Sequence, residues 1–220
     1  MKNLERRKAV DKKTLAVALP APCPLACAFC RTPEHGNGDL RKVVEAVGAH
    51  LATGEYGEIY LTSNGETGLS PIFHEVVELA KKNGVPVSVL CATDNSIIPD
   101  LVRAEISLNK YTSTLAEKAI AKAKSLGVPV VISMVDTGIE AIDPEKVAAR
   151  HNTAGALIRA LQPEGRSHQR KGITRFFKKP DAKIGMFPCA AYAELKSFKN
   201  LSSVDCIGSS GALVPTLGAA

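Results

Sequence analysis

The 220-residue sequence has no tryptophan, and phenylalanine and tyrosine together supply only 5% of it. Platforms for stacking nucleic-acid bases are therefore scarce. A run of about 18 apolar residues, the length a membrane-spanning helix needs, is also missing, so no membrane partner is expected. The charged start, Met1 to Lys13, leads into no hydrophobic signal segment, which makes the cytoplasm the expected location. Six cysteines without a secretory signal argue against a disulfide framework and for reduced thiols or metal ligands. At this length the chain can bury a full core, and one domain is the default organisation.

What is present is a regular alternation of apolar strands and amphipathic helices. Strands are expected at Thr14 to Leu19, Glu58 to Thr62, Val85 to Cys91, Ala104 to Leu108, Val128 to Val135 and Ala156 to Leu161. Helices are expected at Leu40 to Thr53, Ile72 to Asn83, Ser96 to Val102, Leu115 to Leu126 and Pro144 to His151, the last with Asp143 as N-cap and Pro144 in the first turn. Consecutive β-α units with short connections imply a parallel sheet with right-handed crossovers, either doubly wound or part of a barrel.

The chemistry is concentrated directly after the first strand. Cys23-Pro-Leu-Ala-Cys27-Ala-Phe-Cys30 sets three cysteines at C-x3-C-x2-C spacing on one short loop, stiffened by Pro22 and Pro24. Thiolates are soft ligands suited to iron–sulfur clusters or zinc, and a tight loop gathers them with little closure entropy. A [4Fe–4S] cluster ordinarily takes four thiolates, so three leave one iron open to another ligand. A structural zinc site instead wants a closed set of four, and His35 is the nearest candidate for a fourth. In a barrel, functional residues gather on loops at the C-terminal ends of strands, where this loop stands.

This cysteine loop, with an aromatic residue just before its last cysteine, resembles that of the radical S-adenosylmethionine (radical SAM) superfamily. The resemblance implies a partial (β/α)6 barrel over about the first 160 residues, with Cys23, Cys27 and Cys30 holding a [4Fe–4S] cluster. It also implies bound S-adenosylmethionine, cleaved reductively to a 5′-deoxyadenosyl radical that abstracts hydrogen from a substrate. An external electron donor such as ferredoxin or flavodoxin goes with that chemistry. Asn64-Gly65-Glu66, at the end of the second strand, stands where the superfamily has Gly-Gly-Glu, whose carbonyls and carboxylate receive the cofactor's amino group. Asn64 is a departure from that motif, softened because Asn tolerates left-handed backbone better than other residues with a Cβ. By position, Ser107 and Asn109 on the fourth strand, Ser133 on the fifth and Arg159 on the sixth are candidates for contacts with the nucleoside and carboxylate. Phe29 is the candidate neighbour of adenine.

Residues 1–165 are expected to form the barrel, and 166–220 an extension of the same domain. Arg166 to Lys183 carries seven basic residues against Asp181, as much as the net charge of +6 on the whole chain. Such a segment suits a basic loop covering the barrel mouth and an anionic small-molecule or peptide substrate, with RNA a less favoured partner. Cys206 stands in a run that looks like a degenerate auxiliary-cluster hairpin, and Cys189 and Cys91 lie apart from it. Two other functions compete: an activase that installs a glycyl radical on a partner enzyme, which the cysteine loop also resembles, and an iron–sulfur or zinc RNA-binding module without catalysis.

Overall fold

The structure is a computed structural model and describes residues 12–27, 30, 36–109, 111–136, 143–160, 175–178, 204–207, 210–211 and 213–214. In chain order the elements are β1 (Lys13–Leu19), α1 (Leu40–Ala52), β2 (Tyr56–Ser63), α2 (Phe73–Lys82), β3 (Val87–Cys91), β4 (Arg103–Ser107), α3 (Ser113–Ser125), β5 (Val130–Asp136), α4 (Pro144–Arg150), β6 (Gly155–Ala160), β7 (Arg175–Lys178), β8 (Val204–Ile207) and β9 (Leu213–Val214).

Among the described residues all nine strands belong to one sheet, ordered β7-β6-β5-β4-β3-β2-β1-β8-β9. From β1 to β6 each strand pairs in parallel with its successor. A doubly wound sheet would reverse its strand order partway. This order never reverses, so right-handed crossovers leave every helix on one face and the other face concave, as in a partial barrel.

Alternation along each strand divides its side chains between the faces. Leu15, Val17 and Leu19 of β1, Ile59 and Leu61 of β2 and Ile106 of β4 are buried in one continuous apolar cluster with the inner stripes of α1 (Val43, Val47, Leu51) and α2 (Phe73, Val76, Val77). Each such side chain contributes about 1.5–3 kcal/mol by leaving water. The helices start where capping groups allow. Asp39 accepts the Lys42 N–H at the head of α1, and Asp143 accepts those of Glu145 and Lys146 at the head of α4.

Alongside Ala16 and Leu90, the concave face carries a buried polar cluster. Tyr60 donates its hydroxyl to Glu105 Oε2 at 2.8 Å, and the Glu58 carboxylate takes Arg103 at 3.1 Å together with the Ser88 hydroxyl. Burial raises Glu58 above its ordinary carboxylate value, against the pull of Arg103, and lowers Arg103 against the pull of Glu58. For both members of the pair burial is the first cause and the partner opposes it.

Two features differ from expectation. Between β3 and β4 the chain makes only a 3-10 turn at Asp94–Ser96, not a helix over Ser96 to Val102. Within the basic segment, Arg175–Lys178 is not loop but β7, antiparallel to β6, with Lys178 opposite Gly155 at the strand's N-terminal end. That part of the segment therefore runs away from the end of the sheet where the cysteine loop lies. The rest of Arg166 to Lys183 lies outside the described residues, as does Cys189.

Candidate active site

The cysteine loop leaves the C-terminal end of β1 and is seated against the end of β2. Asn64 N–H donates to the Leu19 carbonyl at 3.2 Å and Glu66 N–H to that of Pro22 at 3.0 Å. The Ser70 hydroxyl reaches the Pro20 carbonyl at 2.8 Å. Gly65 lies so close that a Cβ there would stand 2.0 Å from the Ala21 carbonyl oxygen and 2.7 Å from that of Pro22. Close approach, not turn geometry, thus demands this glycine. Neither Asn64 nor Gly65 has a positive φ, so the left-handed tolerance of Asn is not what Asn64 supplies.

On this seat Cys23, Cys27 and Cys30 are all half-buried, and Cys30 N–H donates to the Cys27 carbonyl at 3.2 Å. Three soft thiol side chains on one pinned loop fit an iron–sulfur cluster with an open iron. Among the described residues no three His, Cys, Asp or Glu side chains form a group able to hold a single metal ion. Phe29 and His35 lie outside the described residues.

Glu66 is 2% exposed. Its Oε2 accepts the Ala92 N–H at 2.9 Å, and its Oε1 accepts the Thr93 N–H at 3.4 Å, the Thr93 hydroxyl at 3.1 Å and the Ser96 hydroxyl at 3.4 Å. The carboxylate thus fastens the end of β2 to the turn after β3. Burial raises its pKa above the usual carboxylate value, and these four donors oppose the rise. The same turn meets Gly68, where a Cβ would stand 2.4 Å from the Ser96 nitrogen. Thr93, Ser96, Gly68 and Ser70 were not singled out in the sequence; small and hydroxylated residues crowded into two adjacent strand-end loops were the available signal. Cys91, at the end of β3, is 3% exposed in the apolar core, and its burial first, then Glu66, pushes the thiol well up, so it stays protonated.

The other candidates lie at neighbouring strand ends on the concave face. Ser107 and Ser133 are register partners on β4 and β5, Ser107 half-buried and Ser133 buried. Asn109 is engaged locally: its Oδ1 accepts the Tyr111 N–H at 2.8 Å and its Nδ2 reaches the Ser107 hydroxyl at 3.4 Å, shaping the turn into α3. The backbone of Arg159 pairs with Val135, two residues further toward the strands' C-terminal ends than the Ser133–Leu157 pair. The fold thus brings Asn64, Gly65, Glu66, Ser107, Asn109, Ser133 and the backbone of Arg159 to the cysteine-loop end of one sheet.

No protein-family model and no curated protein matches this sequence. Solved structures do match. SuiB of Streptococcus suis, bound to the precursor peptide SuiA, aligns over 94% of this chain and 60% of its own, with a TM-score of 0.61 and 11% identity. The same protein bound to S-adenosylmethionine aligns with a TM-score of 0.60. The anSMEcpe structure with bound AdoMet and Cp18Cys peptide aligns over 68% of this chain and 51% of its own, with a TM-score of 0.53 and 14% identity. This chain therefore spans about 60% of the length of SuiB and about half that of anSMEcpe. The sequential parallel sheet with its helices on one face, the partial barrel expected from the radical SAM resemblance, is the fold this chain shares with S-adenosylmethionine-bound SuiB.

Proposed function

We propose that this chain is a radical SAM enzyme that reductively cleaves S-adenosylmethionine and abstracts hydrogen from a peptide or small-molecule substrate. The observation that carries the reading is the cysteine loop seated on Asn64-Gly65-Glu66 at the C-terminal ends of β1 and β2, in a fold shared with S-adenosylmethionine-bound proteins. Cys23, Cys27 and Cys30 would hold a [4Fe–4S] cluster, which supplies one electron from an external donor and an open iron for the cofactor's amine and carboxylate. Gly65 lets the backbone of its segment lie close to the loop. Glu66, fastened to the turn after β3, is proposed to orient the amine-binding segment, whose backbone carbonyls receive the ammonium. Ser107 and Ser133 offer hydroxyls for the nucleoside, with Asn109 shaping the turn beside them and Arg159 and Phe29 as further contacts. The peptides bound by SuiB and anSMEcpe favour a peptide among the substrate classes. The basic balance of +6 favours an anionic group on it.

Anaerobic reconstitution with iron and sulfide, followed by reduction with S-adenosylmethionine present, tests the reading. The expected product is 5′-deoxyadenosine, with Cys27→Ala abolishing both the cluster absorption and the product. Tightly bound zinc with no iron uptake would overturn it.

A further inference from the structure

The residue by which this chain departs from the Gly-Gly-Glu pattern has a visible employment. Asn64 Oδ1 accepts the Ala21 N–H at 3.0 Å, and Asn64 Nδ2 donates to the Asn37 carbonyl at 2.7 Å. Ala21 lies just before Cys23, and Asn37 lies beyond Cys30 on the approach to α1. One planar amide therefore ties together the two roots of the cysteine loop. A glycine at this position has no side chain and makes neither bond.

Other contacts to the loop's entry do not involve this side chain. They include the backbone bonds from Asn64 and Glu66, the Ser70 hydroxyl on Pro20, and the close contact of Gly65 with Ala21. Removing the amide thus takes one tie from the exit root at Asn37 and one from Ala21, while these entry contacts stay in place. Ligands that must reach separate irons of one cluster benefit from a loop already closed before metal arrives, since supporting hydrogen bonds hold ligand geometry.

Building on the proposed cluster, we infer that Asn64 is a positioning residue: its amide closes the loop that carries Cys23, Cys27 and Cys30 and so presets the three thiols. This assigns the Asn64 side chain to the loop and not to the methionyl amine.

The test compares wild type, Asn64→Ala and Asn64→Asp in the full chain. Asp keeps an acceptor for Ala21 and has no donor for Asn37. In metal-free protein, amide exchange at Ala21, Cys23 and Cys27 should quicken roughly tenfold in Asn64→Ala and less in Asn64→Asp, with β5 amides unchanged. After reconstitution, iron loss to a chelator should accelerate by a similar factor, and the spin-resonance spectrum of the reduced cluster should change from one species to several. Loop exchange equal to wild type overturns the inference, and so does an equal acceleration in β5, which would mark a general loss of stability. Wild-type protein that takes up no iron overturns the cluster reading separately. In that event the metal-free exchange comparison still decides whether Asn64 closes the loop.

Discussion

At the scale of single residues, the candidate site is governed by close approach and by one buried carboxylate. Gly65→Ala would drive a methyl group into the Ala21 and Pro22 carbonyls, which are backbone and cannot swing aside. The expected cost is about 1–3 kcal/mol, read as a lower urea midpoint, together with loss of iron uptake as the loop is pushed from its seat. Glu66 makes stability depend on pH. Its folded pKa is raised above the ordinary 4.5 by burial, so between the two values the native state holds more protons than the unfolded chain. Its contribution is therefore complete below 4.5 and fades as pH rises through the folded value. Glu66→Gln should flatten the decline of the urea midpoint that wild type shows as pH rises from 4.5 to the folded value. An unchanged slope would show that Glu66 does not titrate in this window.

At the scale of elements, helix starts are worth most where a side chain replaces the missing backbone partner. Asp143→Ala removes the acceptor for the N–H groups of Glu145 at 3.0 Å and Lys146 at 3.3 Å, and should destabilise the fold by about 1 kcal/mol in urea unfolding. Such caps are also why α4 was legible: Asp143 followed by Pro144 fixed its start, and the observed end at Arg150 falls one residue short of that expected. The misreading over Ser96 to Val102 has an equally local cause. Ile97 and Leu101 are both buried and stand four apart, which imitates one face of a helix. Pro99 and the positive φ of Asp100, 66°, break any helix between them. The cysteine loop could be singled out because its signal lies in spacing. The seats of Glu66 and Asn64 were not, because their partners, Ala92 to Ser96 and Asn37, are distant in sequence and carry no periodic signal.

At the scale of the whole molecule, the strands from 166–220 extend the sheet at both of its ends: β7 lies beside β6, and the β8–β9 pair lies beside β1. Pairing between the chain's two termini cannot be read from local alternation, which is why a sheet of six strands was expected and one of nine is found. The consequence for β1 is direct. It is parallel to β2 on one side and to β8 on the other, with Thr14 opposite Val204 and Val17 opposite Ile207. β1 is also the strand that launches the cysteine loop. Deleting residues 204–220 would therefore turn a central strand into an exposed edge and uncover the apolar cluster where Ile207, 1% exposed, now sits. The β1 amides that bond toward β8 should lose exchange protection while those toward β2 retain it, and the truncated chain should self-associate on size-exclusion chromatography. With its root strand loosened, the loop should also release iron faster than in the full chain, although every cysteine of Cys23, Cys27 and Cys30 is still present. A truncated chain that stays monomeric, with full protection throughout β1, would show that β8 adds nothing to the strand on which the cysteine loop is built.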